Sequence, residues 1–196
     1  MAKRKQNESF SKYARSIILC EGETEYWYFK NQLSSKQYKV ELSKNSDAQK
    51  LVKLDARKML NNGNWKMIYC VFDHDPESNL KEQLQSVNKI IKASNGKLQR
   101  VFSKPCFEII FLFNFSNDAK VFASNKEVEA ALNKQIQKNQ SDYRYEKTEK
   151  CIQQLCEYTD FKKICNNAKI VCEKLKIDEN NWLEIEEGYS EIFKLI

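Results

Sequence analysis

The sequence contains little glycine, proline or histidine, so it lacks the composition of fibrous or disordered chains and of histidine-rich metal sites. Among 196 residues it has four glycines, two prolines and one histidine. So little glycine and proline excludes collagen-like chains and Pro/Gly-rich disordered chains, and a single histidine excludes any site that needs a histidine pair. No apolar stretch approaches the roughly 20 residues of a membrane span, and no signal-peptide pattern is present. We therefore expect a globular, cytoplasmic protein with no membrane partner.

Several functional motifs are also absent. Neither G-x-x-x-x-G-K-[ST] nor G-x-G-x-x-G occurs, so ATP binding by this chain is not expected. Without G-x-S-x-G, a serine hydrolase mechanism lacks support. The seven cysteines are an odd number and never form C-x-x-C, which argues against a disulfide framework and against a zinc site. We interpret them as small apolar core residues.

Positive charge is concentrated at the start of the chain. Residues 1–15 contain five Lys or Arg and one Glu, so this basic arm carries +4 of the total formal charge of +6. Such an arm is either a solvated tail or a phosphate contact, and its composition does not decide between them. Because residues 16–196 carry little excess charge, we expect few contacts with nucleic acid outside the arm.

Short apolar runs alternate with helical patterns through the first half of the chain. The predicted strands are residues 16–20, 38–42, 65–72 and 98–102. The predicted helices between them are residues 24–33, a stretch with Leu51, Leu54 and Met59 on its apolar face, and residues 80–91. Repeated strand and helix alternation with short connections predicts an α/β fold in which helices flank a mainly parallel sheet.

Helical periodicity continues through the second half. Pro105 can start a buried helix over residues 106–115, Ser124 and Glu127 fit a capping box, and a later apolar stripe predicts two helices broken near Asp160. We therefore expect three parts. They are the basic arm (residues 1–15), an α/β core (residues 16–118) and a helical C-terminal region packed on the core (residues 119–196).

Acidic residues follow two of the predicted strands. Glu21 comes directly after the first strand, and Asp73 and Asp75 follow the third. In an open parallel sheet, ligands bind at the carboxyl ends of the strands, and two aspartates at i and i+2 of an extended segment point to the same side. Mg²⁺ would remove the repulsion among these carboxylates. The alternative is that the aspartates cap the next helix and Glu21 is an ordinary turn acid; spacing alone leaves both open.

His74 lies between the two aspartates. Neighbouring acids favour its imidazolium form, which could neutralise a phosphate. A ring that turns to solvent or onto the edge of the sheet would need no function, and the sequence leaves both interpretations open.

Three segments together resemble the RloB-like family, a branch of the Toprim superfamily. They are ILCEGETEYWYF at residues 18–29, VFDHDP at residues 71–76 and SKPCFEIIFLFNF at residues 103–115. The later YEKTEKC and NNAKIVC segments also look like that family, so the resemblance covers nearly the whole chain in order. It implies a compact Toprim-like α/β fold and Mg²⁺- or Mn²⁺-dependent chemistry on nucleic-acid phosphodiesters.

The resemblance also implies roles for individual acids. Glu21 matches the glutamate that acts as general acid or base, and Glu25 matches the second acid of the same stretch. Asp73 and Asp75 match the metal-coordinating D-x-D pair. Glu108 matches the acid of the P-C-F-E stretch, and Glu25 and Glu108 are each implied as an added metal ligand or as an acceptor behind the ligands. Glu25 could instead simply favour the N-terminus of its helix.

Basic residues are implied as nucleic-acid contacts. Lys147 lies in a position resembling the family's Y-x-K and implies a phosphate contact, with a solvated helix-end lysine as the alternative. Two positions depart from the pattern, because Lys104 stands where the family commonly has Asn, and Asn114 where it commonly has His. Lys104 could supply a further phosphate contact, whereas the missing histidine puts full nuclease activity in question.

The resemblance implies an effector of bacterial phage defence (abortive infection) that cleaves RNA or DNA with one or two Mg²⁺ or Mn²⁺ ions. It also implies control by a partner ATPase of the AAA or ABC-like type, by analogy alone. The competing hypothesis is a catalytically inactive Toprim-like subunit that recruits nucleic acid or that ATPase. The C-terminal helices could in addition form a homodimer.

Overall fold

The computed structural model describes residues 15–33, 37–45, 47–63, 65–74 and 80–196. Asp75 and nearly all of the basic arm therefore lie outside the described residues, and their predicted roles stay predictions. The proposed division between residues 118 and 119 also stays a prediction.

A five-stranded sheet in the order β2-β1-β3-β4-β5 forms the centre of the protein. The strands are β1 (Ser16–Cys20), β2 (Tyr38–Leu42), β3 (Ile68–Asp73), β4 (Leu98–Lys104) and β5 (Tyr189–Ser190). The first four are parallel, and β5 pairs antiparallel with β4. Every residue of β1 is buried, as expected for an inner strand of a parallel sheet covered by helices. The predicted α/β fold with a mainly parallel sheet is confirmed.

Helices flank the sheet and also make up much of the second half of the chain. Those in the described residues are α1 (Glu23–Leu33), α2 (Ala48–Lys50), α3 (Arg57–Asn62), α4 (Leu80–Ala93), α5 (Ile109–Leu112), α6 (Asn125–Ile136), α7 (Glu149–Tyr158) and α8 (Phe161–Lys174). A π-helical turn, Leu51–Ala56, joins α2 to α3, and a 3₁₀ turn, Ile192–Leu195, follows β5. None of these helices combines the length and the apolar composition that crossing a membrane would require.

Side-chain caps explain where several helices begin. Asp47 Oδ1 accepts from the Lys50 amide at 2.9 Å, which starts α2. The predicted capping box before α6 is confirmed, because Ser124 accepts from the Glu127 amide and the Glu127 carboxylate accepts from the loop before the helix. Asp160 Oδ1 accepts from two amides of the first turn of α8. The break between α7 and α8 therefore lies where the sequence predicts it.

The buried helix predicted over residues 106–115 is wrong in length. The helix α5 covers only four residues, Ile109–Leu112. Most backbone hydrogen bonds around it run from an amide to the carbonyl three residues earlier, as in tight turns. The Phe107 amide instead donates to the Asp73 carboxylate at 3.1 Å. The contact with the end of β3 therefore replaces helical pairing at the start of this segment.

One other prediction for local structure is also wrong. Leu54, predicted on an apolar face, is 55% exposed, because it lies in the π-helical turn, where the wider hydrogen bonding shifts the residues around the helix axis. The C-terminal region contains the predicted helices and, in addition, the short strand β5, which pairs with Ser103 and Lys104 of β4. A two-residue strand is too short to produce a periodic pattern.

The cysteines behave as core residues. All seven lie within the described residues and are free thiols, and all but Cys156 are buried. Burial raises the pKa of Cys70 to about 12, which keeps its thiol protonated and unreactive near neutral pH.

Candidate functional site

The sheet topology creates a switch point between β1 and β3. The chain moves from β1 to β2 on one side and then returns to place β3 on the other side of β1. In open α/β sheets, the loops after two such strands diverge and leave a crevice at the carboxyl ends. Glu21 directly follows β1, and Asp73 is the last residue of β3. The prediction that adjacent strands bring these two acids to one edge is confirmed.

A cleft of about 380 Å³ opens at this edge. Of the described residues that line it, five are acidic and one, Lys147, is basic. The acidic residues are Glu21, Glu23, Glu25, Asp73 and Glu108. Trp27 and Phe107 add aromatic surface. The cleft therefore joins five of the eight residues that the sequence analysis selects as site candidates.

Glu21 is a largely buried acid with incomplete hydrogen bonding. Its Oε2 atom is buried and has no hydrogen-bond partner among the described residues. Burial and the negative charges of Asp73 and Asp47 raise the pKa of Glu21 to about 8, against the opposing effect of nearby backbone amides. A buried polar atom without a partner is costly, so this position indicates a site that a ligand would complete.

Glu25 lies in the first turn of α1 and is 5% exposed. Burial and the Asp73 charge hold the pKa of Glu25 well above its usual range. Its carboxylate packs on Gly22, where an added Cβ would lie 2.5 Å from Oε2 of Glu25. Glycine at this position therefore leaves room for the carboxylate. A position near a helix N-terminus is also favourable for an acid. The presence of a glutamate at position 25 is therefore partly explained by the helix, without any ligand.

Glu108 is 1% exposed and is held by partners from the C-terminal region. Its Oε1 accepts from the Tyr145 hydroxyl at 2.9 Å and lies 3.0 Å from the Lys147 ammonium. Lys147 also lies 3.5 Å from Glu129 on α6. Burial lowers the pKa of Lys147, but the Glu108 charge outweighs this and raises it above its usual value. Lys147 is therefore a charged group at the cleft.

The remaining candidates lie elsewhere. The Lys104 ammonium donates to the Ile185 carbonyl, and burial lowers its pKa. The His74 ring packs edge-on against Phe102 at 6.2 Å between centroids. Asn114 accepts from the Asp160 amide at 3.0 Å and so supports the junction between α7 and α8. These three residues are not among the described residues that line the cleft.

Sequence reasoning did not select two residues that shape this site, Tyr145 and Glu129. Tyr145 contacts Glu108, and Glu129 contacts Lys147. Both residues lie more than 20 positions after Glu108 in the sequence. The Y-x-K stretch could have indicated Tyr145, because residues at i and i+2 of an extended segment point to the same side, which places Tyr145 beside Lys147. Glu129 lies within an ordinary helical pattern that offers no comparable signal.

The donor set suits a hard divalent cation. Carboxylate oxygens are preferred ligands of Mg²⁺, which often uses one or two carboxylates together with waters and substrate phosphates. The unpartnered Glu21 Oε2 and the crowding of acids fit that need. Among the described residues, however, no three His, Cys, Asp or Glu side chains are grouped so that they could hold one ion. Glu21 and Asp73 therefore remain the candidate ligands among the described residues, and the predicted ligand Asp75 lies outside them.

Together, the fold and the cleft define an α/β protein with an acidic site at the switch point of its sheet. The chain belongs to the RloB-like protein family, whose family model matches residues 16–196. Searches of curated proteins and of solved structures found no match.

Proposed function

We propose that this protein is a Mg²⁺- or Mn²⁺-dependent nuclease that cleaves RNA or DNA phosphodiesters at the acidic cleft. The observation that carries the proposal is the meeting of Glu21 and Asp73 at the ends of adjacent strands, with Glu21 Oε2 left without a partner. Membership of the RloB-like family adds support.

The charges of the cleft support binding of a cation before binding of a phosphate. Five acids and one lysine repel a polyanion unless positive charge is added. A divalent ion held by these carboxylates would supply that charge and would lower the pKa of a bound water. Asp73, oriented by the Phe107 amide, would hold the ion. Glu21 would share this role or accept the proton of the attacking water.

Lys147 is the described basic residue best placed to contact a phosphate at this cleft. Its side chain is 50% exposed and carries a raised pKa. Nucleic acid binding at a small number of such positions agrees with the low excess charge of residues 16–196. Lys104 is a weaker candidate because a backbone carbonyl already engages its ammonium.

A binding subunit without turnover is the competing proposal. Among the described residues no three metal-binding side chains are grouped, and the predicted third ligand, Asp75, lies outside them. Asn114 does not favour a binding subunit, because its hydrogen bond with Asp160 gives it a structural role outside the cleft. The partner ATPase and the role in phage defence stay predictions from the resemblance, and the homodimer and the cytoplasmic location stay predictions from the sequence.

Cleavage assays with matched variants test the proposal. The purified 196-residue chain is incubated with single-stranded RNA, duplex DNA and transfer RNA, in Mg²⁺, in Mn²⁺ and in EDTA. We expect metal-dependent cleavage that falls at least about 100-fold in Glu21→Gln and in Asp73→Asn. Asparagine retains an oxygen that accepts from the Phe107 amide, so the second variant should stay folded.

Two variants outside the cleft serve as controls. Glu127→Gln and Asp160→Asn make the same chemical changes at helix caps, and both should cleave like the unchanged protein. Full cleavage by both cleft variants would refute the proposed site. Binding of Mn²⁺ without cleavage of any substrate would instead establish the binding subunit.

A further inference from the structure

One oxygen of the Glu108 carboxylate, Oε1, is already engaged by two groups of this chain. Glu108 is 1% exposed, and this oxygen receives both the Tyr145 hydroxyl and the Lys147 ammonium. The Cys106 thiol lies beside it as well, and burial together with the Glu108 charge raises the pKa of that thiol. A carboxylate that neutralises a lysine and accepts a hydroxyl has little reason to recruit a metal ion.

Tyr145 is itself fixed in place. It is buried, and its backbone amide donates to Asn133 Oδ1 on α6 at 2.7 Å. Its ring lies 6.4 Å from the Phe111 ring between centroids. The hydroxyl therefore approaches Glu108 from a rigid position, and the hydrogen bond restricts the carboxylate to one orientation.

Lys147 retains capacity for an additional partner. An ammonium has three donors, and two acids, Glu108 and Glu129, lie within 3.0 and 3.5 Å of it. The side chain is 50% exposed and lines the acidic cleft. Two of its three donors are accounted for by these acids, so the third is left for a ligand in the cleft.

We infer that Glu108 and Tyr145 are positioning residues that hold the Lys147 ammonium at the cleft, where it binds a phosphate of RNA or DNA, and that Glu108 is not a metal ligand. This inference rests on the proposed function, because it assigns the group that receives the substrate phosphate. The inference gives Glu108 a different role from that of a metal ligand, one of the two roles that the resemblance implies. It also places Tyr145 and Lys147, from the C-terminal region, in one site with the strand-end acids.

Substrate binding tests the inference separately from cleavage. Fluorescein-labelled 15-nucleotide oligo(U) and oligo(dT) are titrated by anisotropy in Mg²⁺ at several salt concentrations. A Glu21→Gln background keeps the oligonucleotides intact. We expect Lys147→Met to weaken binding of both and to reduce the salt slope by about 1, as for loss of one phosphate contact. Lys147→Arg should retain that slope.

The positioning residues should act through Lys147. Glu108→Gln and Tyr145→Phe should each move affinity and salt slope towards those of Lys147→Met. The double variant Glu108→Gln/Lys147→Met should bind no more weakly than Lys147→Met, because residues acting on one contact are not additive. Calorimetry with Mn²⁺ alone should give the same affinity for Glu108→Gln and for the unchanged protein, whereas Asp73→Asn should lose binding.

The outcomes separate this inference from the proposed function. Loss of Mn²⁺ binding in Glu108→Gln would make Glu108 a metal ligand and overturn the inference. An unchanged salt slope in Lys147→Met would also overturn it, and so would tighter oligonucleotide binding in Glu108→Gln. Cleavage that does not depend on Lys147 would overturn the inference alone. Lys147-dependent binding without cleavage by the unchanged protein would overturn the nuclease and leave the inference standing. Absence of any oligonucleotide binding would overturn both.

Discussion

Two regions of the sheet bury carboxylates in opposite ways. Beside the β4–β5 pair, Glu191 receives two hydrogen bonds from Arg100, at 2.8 and 2.9 Å. Lys194 lies 2.6 Å from the same carboxylate, and Arg100 stacks on Trp182 at 4.1 Å from the ring centroid. At the ends of β1 and β3, burial and the negative charge of Asp73 instead raise the pKa of Glu21 and of Glu25.

The difference separates a structural ion pair from a site that needs a ligand. A carboxylate can be buried when its charge is paired and its lone pairs are filled, and Glu191 meets both conditions. In the cleft, the charge of Glu108 is paired with Lys147, and its carboxylate also accepts from Tyr145. Glu21 instead has no ion pair among the described residues, and its Oε2 has no hydrogen-bond partner there. A buried acid with incomplete hydrogen bonding and a raised pKa at a switch point is therefore better explained by a ligand than by stability.

The largest expected effect comes from breaking the compensated pair. Arg100→Met should lower the free energy of unfolding by about 3 to 5 kcal/mol, because it leaves the buried Glu191 without its bidentate partner. Urea unfolding followed by circular dichroism measures the change. The control is Lys92→Met, which removes an exposed pair with Glu179 and should change stability by less than about 1 kcal/mol. If Arg100→Met and Lys92→Met lowered the free energy of unfolding equally, the Arg100–Glu191 pair could not be called a stabilising ion pair, and the contrast with the cleft would be lost.

Replacing a glutamate with glutamine should change the free energy of unfolding in opposite directions in the two regions. Glu25→Gln should raise the free energy of unfolding by about 1 to 2 kcal/mol in metal-free buffer at neutral pH, since a carboxyl with a raised pKa must either bury its charge or take up a proton on folding, and glutamine does neither. Glu191→Gln should lower it, because Arg100 then loses its counter-charge. Both are measured by urea unfolding in EDTA. A loss of stability in both variants would show that the cleft acids are compensated as well as Glu191 is.

Added Mg²⁺ should stabilise the protein through the cleft. At about five times the dissociation constant, the free energy of unfolding should rise by about 1 kcal/mol, the value expected when a ligand binds only the native state. Asp73→Asn should abolish this gain, whereas Arg100→Met should retain it from a lower starting value. Thermal unfolding across a Mg²⁺ series measures the effect, with equal ionic strength of Na⁺ as the control. A gain that survives in Asp73→Asn would place the ion elsewhere.

The strand-end acids could be predicted from the sequence because parallel strands end at a common edge. Glu21 follows a continuous apolar run, and Asp73 ends another, so adjacency of β1 and β3 was enough to bring them together. The resemblance extended the set to Glu25, Glu108 and Lys147, which also line the cleft. Their roles as ligand, base or phosphate contact are untested.

The compensated region could not be predicted in the same way. Arg100 and Glu191 are 91 residues apart and belong to no local pattern. The strand before Glu191 has two residues, and its pairing depends on tertiary contacts such as the Ser103–Ser190 hydroxyl hydrogen bond of 2.8 Å. The Y-x-K spacing places Tyr145 beside Lys147, but its hydrogen bond to Glu108, 37 residues away, could not be read from the neighbouring sequence.

The smallest expected effect on stability comes from Gly22→Ala. The added Cβ would lie 2.5 Å from Oε2 of Glu25, an atom at the end of a side chain that can rotate away. Stability should therefore change by less than about 1 kcal/mol, while displacement of the carboxylate should weaken Mn²⁺ binding in calorimetry. A loss above about 2 kcal/mol would mean that Glu25 is held as rigidly as Glu191, because only a fixed carboxylate turns this contact into strain. The cleft would then be a rigid structural feature, and its acids would need another explanation than a ligand.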